Sequence, residues 1–547
     1  MKTAVRQLLL LACFFLFASS HANESGTRDA LLLELEYLSQ LETVSIREVE
    51  VASAELLGDV YGRLDYSMVW SDSAKIDRWI ASVEASARDG FNVSDFHLEG
   101  LRGLKRELES PNELTPDRRA RIEILLSDSV IRLAYSQVFG KVNPYGLDED
   151  WNYRREKRDM SPEDALAALL KSRSPGDEID HFIARGPLYN ALRDAHERYR
   201  AIEADGGWPV VPGGDTIRPG DSDPRIAVIA ERLAASGDIE SAASAGNSLD
   251  EYLEIGVRRF QSRHGLDADG IIGKGTLAAM NVPASERVAT LKINLERIRW
   301  LADDIEDEMI MVNIAGFEAY LVRSGELVWR TRVQVGKSYH QTPVFRDEIT
   351  YIAINPTWTV PYSIATKEML PKLKNDPTYL VSREFDVKDR NGMIVDSTRV
   401  DWQSLSRSNF PYTLVQRPGP ANALGRVKFI FPNKYAVYLH DTPSKYLFER
   451  AGRAFSHGCI RTQNPFDLAE LLLAPQGWDR QRIQETLDSK ELTNIVLETP
   501  MPVMLTYFTA RADPDGTVHF FDDVYQRDQR VAEALAKPFS FELPDTK

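Results

Sequence analysis

YAVYLH (residues 435–440) and RAFSHGCIR (residues 453–461) are the two stretches on which the reading of this chain turns. The first reads as a strand ending at His440. The second carries a Ser456-His457-Gly458-Cys459 turn followed by Ile460 and Arg461, with Cys459 nineteen residues after His440. A thiol ordinarily titrates near ~8.5, so it needs a base or a positive neighbour to attack as thiolate at neutral pH. A histidine at a strand end and a cysteine after a glycine turn can supply such a pair. Gly458 lets the backbone approach closely, and successive N–H groups there can face a developing oxyanion.

Around these stretches the pattern is one of short β-rich runs: MIMVNI (309–314), LVWRTRVQVG (327–336), TYIAIN (350–355) and RVKFIF (426–431). Gly, Pro and Asn separate them, which predicts a β-rich domain over about 300–510. A long polar stretch, about 363–420, interrupts the strands. Its length and a helical piece near Ile364–Lys374 predict a subdomain or lid rather than a plain loop. Met501–Phe508 and Thr517–Phe521, around Asp515-Gly516, read as a closing hairpin, and a terminal helix within 511–547 completes the fold.

Composition sets the limits on partners. The 547 residues are 43% hydrophobic with a net charge of −16, enough apolar surface for several cores and a field that repels polyanions, so nucleic acid is not an expected partner. Residues 1–22 read as an export signal: Lys2 and Arg6, an apolar run from Leu8 to Phe17, then Ser20-His21-Ala22 before Asn23. A signal-anchor in the inner membrane is the alternative, although the run is short for a span of ~20 residues. Export would leave Cys459 as the single thiol, since the other cysteine, Cys13, lies within the signal. A lone cysteine in an oxidising compartment is either a buried small hydrophobe or a nucleophile.

Residues 23–204 read as a helical scaffold, with Ile122, Leu125, Leu126, Val130 and Leu133 at helical spacing before a stop at Gly140. His97, His181 and His196 are scattered there without a partner nucleophile. A Gly/Pro/Asp-dense linker follows at 205–223, then a compact unit at 224–283. In that unit Ser248 and Glu251 form a capping-box pattern, Leu249, Leu253, Val257 and Phe260 line one helix face, and Gly265 marks a stop.

Val257-Arg258-Arg259-Phe260-Gln261, His264-Gly265-Leu266, Asp269-Gly270-Ile271 and Gly273 through Thr276 resemble the three-helix peptidoglycan-binding module. Ser456-His457-Gly458-Cys459-Ile460-Arg461, with His440 upstream, resembles the signature of the L,D-transpeptidases of the YkuD type. Gly336-Lys337, Thr342-Pro343-Val344, Asn355-Pro356-Thr357-Trp358, Pro361, Ile364, Pro418-Gly419-Pro420 and Asn422 through Phe429 resemble further strand and turn motifs of that domain, as does Phe431-Pro432-Asn433. With scaffold and module in front, the layout resembles the large YcbB-like (LdtD-like) members: a multidomain α+β protein.

The resemblance implies that Cys459 is the nucleophile and His440 its base, with Gly458 and His457 shaping the turn and the oxyanion site. It makes Arg461, Ser456 and Tyr438 candidates for contact with substrate, Tyr438 because alternation puts it on the face of His440. A backbone carbonyl can orient the histidine in this family, so Asp441 need not complete a triad. Arg461 can instead form a structural ion pair. The resemblance further implies 3→3 crosslinking of peptidoglycan stem peptides, no cofactor, a periplasmic location, partnership with cell-wall synthases, and acylation by carbapenems. An L,D-carboxypeptidase, attachment of a protein to the wall, and a silent wall-binding scaffold are the alternatives. His340, His440, His457 and Cys459 are metal-ligand types, but His-Gly-Cys lacks the paired spacing of a zinc site, so no metal is expected.

Overall fold

The computed structural model describes residues 26–541, apart from 39–44, 47–48, 111–113, 148–150, 154–160, 183–185 and 244–245. The export-type segment 1–22 therefore lies outside the described residues.

Four apolar cores organise the chain, and each follows from a local pattern. In the scaffold, α1 (Pro116–Phe139) begins where Thr115 Oγ1 accepts the Arg118 N–H at 3.3 Å, with proline at the first turn, and ends at Gly140 with φ +78°. Its apolar residues pack against the preceding helices around Trp79, Tyr61 and Phe96. His97 bonds the Asp128 carboxylate at 2.9 Å, and His196 bonds the Arg88 carbonyl at 2.9 Å, so both are satisfied within the scaffold. The last scaffold helix, α2 (Pro187–Ala204), leaves this core and joins that of the C-terminal sheet through Tyr189, Leu192 and Tyr199.

The second core belongs to a three-helix unit: Ile226–Ala235, α3 (Glu251–Arg263) and Lys274–Met280, closed around Ile229, Leu253, Val257 and Phe260. The cap of α3 differs from the capping box read in the sequence. Asp250, not Ser248, occupies the cap and accepts the Leu253 N–H at 3.0 Å, because an aspartate three residues before Leu253 competes better for that donor. Beyond this unit, α4 (Ala284–Leu301) runs between scaffold and sheet and buries Asn294, Glu296, Arg297 and Arg299 as well as its leucines.

The third core underlies a nine-stranded sheet. Its strands are β1 (Met309–Asn313), β2 (Glu318–Arg323), β3 (Glu326–Gly336), β4 (Phe345–Ile354), β5 (Val427–Ile430), β6 (Leu439–His440), β7 (Ala454–Ser456), β8 (Ile460–Thr462) and β9 (Thr493–Thr506). They lie in the order β7-β3-β8-β6-β5-β4-β9-β1-β2, and β2 pairs back onto β3, so the sheet closes on itself. Val427, Phe429, Leu439, Ile460, Val333 and Val335 fill the inside. The opposite face of β5, β6 and β8 is thereby left for polar side chains.

Two sequence expectations change here. The run 435–440 pairs only at Leu439 and His440. Asn433 explains this: its side chain accepts from the Tyr435 and Val437 N–H groups and donates to the Phe431 and Val437 carbonyls, holding a turn in which Ala436 has φ +54°. The segment read as one arm of a closing hairpin, Met501–Phe508, is largely the end of β9, paired to β1 and β4. The hairpin is instead Ala510–Ala512 with Val518–Phe520, followed by the helix Asp528–Ala536.

The fourth core lies in the insertion between β4 and β5. A small four-stranded sheet, in the order Trp358–Thr359, Thr413–Gln416, Phe385–Lys388, Ile394–Val395, packs with helical turns around Trp402, Leu373 and Leu414. Ala365–Met369 within it is a π-helical turn, a distortion frequent at functional sites.

Candidate active site

Register alone assembles the site. Across the outer face of the sheet, Lys428 of β5 lies opposite His440 of β6, His440 opposite Arg461 of β8, and Arg461 opposite Gln334 of β3. Residues directly opposite share a face, so Lys428, His440, Arg461 and Gln334 form one row. Cys459 lies at the N-terminal edge of β8, one residue before Ile460, whose N–H bonds the Tyr438 carbonyl at 2.9 Å. The cysteine is part-exposed and His440 is buried.

The turn that presents the thiol is tied from three sides. Ser456 Oγ donates to the Cys459 carbonyl at 2.5 Å and accepts the Gly458 N–H at 3.0 Å. Thr342 Oγ1 donates to the Gly458 carbonyl at 2.8 Å and accepts the Gly336 N–H at 2.9 Å. Tyr525, from the C-terminal segment, donates its hydroxyl to the Gly336 carbonyl at 2.6 Å. Gly458 has φ +114°, a conformation that L side chains avoid. Of the two backbone donors read as an oxyanion site, the Gly458 N–H is occupied by Ser456, while the Cys459 N–H has no acceptor among the described residues.

Electrostatics at the row are one-sided. Burial, then the Arg461 charge, pushes His440 down to about 3, and its Nδ1 bonds the Asp441 carbonyl at 2.5 Å. The imidazole is thus held neutral and oriented by backbone. The Asp441 carboxylate accepts the Arg426 N–H at 2.9 Å and pairs with Lys445. Burial pushes the Cys459 thiol up, opposed by the Tyr438 backbone, Lys428 and Arg461. In this conformation the thiol lies 3.6 Å from the Ala436 carbonyl, as its hydrogen-bond donor. Lys428 stands 3.6 Å over the Tyr438 ring, which brings Tyr438 beside the row although it lies outside the strand.

Neither cation has an anion. Arg461 donates to Gln334 Oε1 at 3.3 Å, its buried Nε has no acceptor, and among the described residues no carboxylate pairs with it or with Lys428. The ion pair considered for Arg461 is therefore not formed. Lys428 is the residue that motif reading passed over. Its signal was the V-K-F-I alternation, which sets a lysine against the core-facing Val427 and Phe429.

His457 is aimed away from the row. Its Nε2 bonds Glu368 Oε1 of the insertion's π-turn at 2.6 Å, and its ring lies 5.1 Å from that of His340. The insertion thus touches the cysteine loop through an exposed contact, as a lid would.

Residues 307–494 match the family model described as the L,D-transpeptidase catalytic domain (YkuD). Over these residues the chain is similar to the YkuD-type L,D-transpeptidase catalytic domains. Residues 55–195 match a scaffold domain, and residues 222–280 a "Putative peptidoglycan binding domain". A curated Haemophilus influenzae protein named "Putative L,D-transpeptidase" is 34% identical over 255 residues, which is 46% of this chain and 51% of that protein. The chain therefore spans about half the length of that relative. Among solved structures, the L,D-transpeptidase from Mycobacterium smegmatis aligns over 37% of this chain and 58% of its own at 11% identity, TM-score 0.17. The L,D-transpeptidase (residues 123–326) from Xylanimonas cellulosilytica aligns over 54% of this chain and 99% of its own at 13% identity, TM-score 0.18.

Proposed function

We propose that this protein crosslinks peptidoglycan by L,D-transpeptidation, with Cys459 as nucleophile and His440 as base. The observation that carries the proposal is that Lys428 and Arg461, with no carboxylate partner among the described residues, flank a neutral His440 in the row whose strand β8 begins just after Cys459. The thiolate formed when Cys459 loses its proton, and a substrate carboxylate, are the anions such a site would take.

The Cys459 sulfur attacks the carbonyl of the third stem residue, meso-diaminopimelate, of a tetrapeptide. His440 takes the thiol proton; the C–S bond forms, the bond to D-alanine breaks, and the proton passes to the departing amine. The free Cys459 N–H faces the developing oxyanion. The side-chain amine of a neighbouring stem then attacks the thioester and gives a proton to His440; the C–N bond forms, the C–S bond breaks, and His440 returns the proton to sulfur, giving a 3→3 crosslink. The lid over the loop keeps water from the acyl-enzyme.

Export to the periplasm by residues 1–22, acylation of Cys459 by carbapenems, and work beside wall synthases belong to the same proposal. An L,D-carboxypeptidase would use the same residues with water as acceptor. The chain is to be incubated from Asn23 onward with purified disaccharide-tetrapeptide, beside Cys459→Ala, and the products weighed. Crosslinked dimer with loss of D-alanine, absent from the mutant, is the expected result. Tripeptide alone would replace transpeptidase by carboxypeptidase, and a fully active Cys459→Ala would remove the mechanism.

A further inference from the structure

A second cleft, of about 910 Å³, lies where α2 of the scaffold, α3 of the three-helix unit and the 515–519 turn of the C-terminal hairpin meet. Its volume suits a short peptide or disaccharide. Two walls carry matching pairs one helical turn apart: Arg198 and Ile202 on α2, Ile255 and Arg259 on α3. Arg258 stands beside Arg259, held by Glu254 at 2.8 Å.

The floor is built and rigid. Arg263 forms two charge-assisted bonds to Asp238, at 2.6 and 2.5 Å, and both residues are buried. Phe260, His264 and Phe520 stack to weld the three-helix unit to the hairpin. The rim is not satisfied. Arg259 is exposed and has no hydrogen bond or ion pair among the described residues, and Arg198 gives one N–H to the Gly516 carbonyl at 2.8 Å. Asp515, at the hairpin tip, turns its carboxylate to the Thr517 N–H at 2.9 Å. Exposed arginines lining one cleft with half-exposed Ile255 stand out on a chain of net charge −16.

We infer that this cleft is a second peptidoglycan site, which grips the carboxylates of a stem peptide between Arg198 and Arg259 while Ile202 and Ile255 receive its small apolar side chains. Guanidinium forks match carboxylates in pairs, and the isoleucines match alanyl methyl groups. The inference rests on the proposed function and adds where, and by which groups, the wall is held: at a junction of three domains, apart from Cys459. The two walls come from different domains, so the isolated three-helix unit would carry its own wall and the floor but lack Arg198 and Ile202.

The test uses the full chain from Asn23 and purified sacculi in a sedimentation assay. Arg198→Glu with Arg259→Glu is expected to weaken binding by about tenfold or more, with an unchanged melting temperature. Should that pair fold poorly, Arg198→Gln with Arg259→Gln is the second variant, with a smaller loss in the same direction. Sacculi whose carboxylates have been converted to methylamides are expected to lose binding to the wild-type protein. Wild-type affinity in a folded double variant overturns the cleft. Undiminished binding of amidated sacculi overturns the carboxylate ligand, and points to the phosphate of an attached polymer. Acylation of Cys459 by soluble tetrapeptide, followed by mass in the wild-type protein, separates a failed cleft from a failed transpeptidase reading.

Discussion

The resting state of Cys459, the proposed nucleophile, is open to a decisive titration. His440 falls from its ordinary value of 6.5 to about 3, a difference worth about 5 kcal/mol against the imidazolium at the conversion of about 1.4 kcal/mol per pH unit. At pH 7 imidazolium is then about ten-thousandfold rarer than imidazole. The thiol is pushed the other way, upward by burial. Together these describe a neutral thiol and a neutral imidazole at rest rather than a preformed thiolate–imidazolium pair. Alkylation of Cys459 by iodoacetamide, read by mass on the chain from Asn23, is therefore expected to rise about tenfold per pH unit from pH 6 to 8. It should level off only above the usual thiol range near ~8.5. Lys428→Met removes one of the two cations that favour thiolate and keeps the volume over Tyr438, so its profile should slide to higher pH. A plateau reached below pH 6.5 would mean that an ion pair exists at rest, and the argument from burial would be refuted. An unchanged profile in Lys428→Met would remove the lysine from the site.

Two further outcomes follow from contacts at the site. A Cβ at Gly425, which has φ +65°, would lie 2.3 Å from the Asp441 Cβ, so Gly425→Ala must displace the residue whose carbonyl holds His440; Asp441→Asn keeps that carbonyl. Acylation rate and melting temperature should both fall in the alanine variant, with stability down by about 1–3 kcal/mol, while Asp441→Asn stays within a few-fold in acylation; equal damage in both would make the carboxylate the orienting group. Glu368→Gln weakens the lid contact to His457, an exposed pair worth about 0.2–1 kcal/mol, so the ratio of thioester hydrolysis to transfer should rise by about 1.5- to 5-fold. An unchanged ratio would show that the contact does not hold the lid.

What the sequence made legible follows physical lines. Cys459 and Gly458 sit in one contiguous turn whose chemistry needs those residue types side by side, and His440 closes a run that ends as a strand should. Lys428 was visible as the odd member of an apolar alternation. Its meaning required the register that sets it opposite His440, and register is a long-range property. The run 435–440 read as six residues of strand because alternation is blind to Asn433, whose side chain competes with the ladder for the same backbone donors. Helix α4 escaped notice for the opposite reason. It is buried around much of its circumference, and Glu296, Arg297 and Arg299 occupy positions where a core helix would show leucine, so no apolar stripe marks it.

Those buried charges explain how a scaffold can matter to a thiol far from it. Arg299 bonds Tyr189 of α2 at 3.0 Å, the Asp89 carbonyl and the Glu296 carboxylate, which fixes α4 on the scaffold. Two residues earlier, Arg297 bonds Asp528 at 2.5 Å, and Asn294, five residues before Arg299, bonds Thr509 at 2.9 Å, which fixes the same helix on the C-terminal segment. That segment carries Arg527, 3.0 Å from Gln341 Oε1, and Tyr525, bonded to Gly336, and so braces the 336–342 loop on which Thr342 holds Gly458. Buried ionic and polar links of this kind add little to net stability, since desolvation opposes the attraction, but losing one partner leaves a costly orphan. They therefore favour a single arrangement of domains and a fixed cysteine turn. The insertion is joined differently. It has its own core around Trp402 and meets the cysteine loop through the exposed Glu368–His457 contact, so opening it breaks a weak pair and leaves both cores intact. The cysteine turn is thus tied through several elements and the insertion by a weak pair, the division of labour that the proposed water-sensitive acyl-enzyme requires.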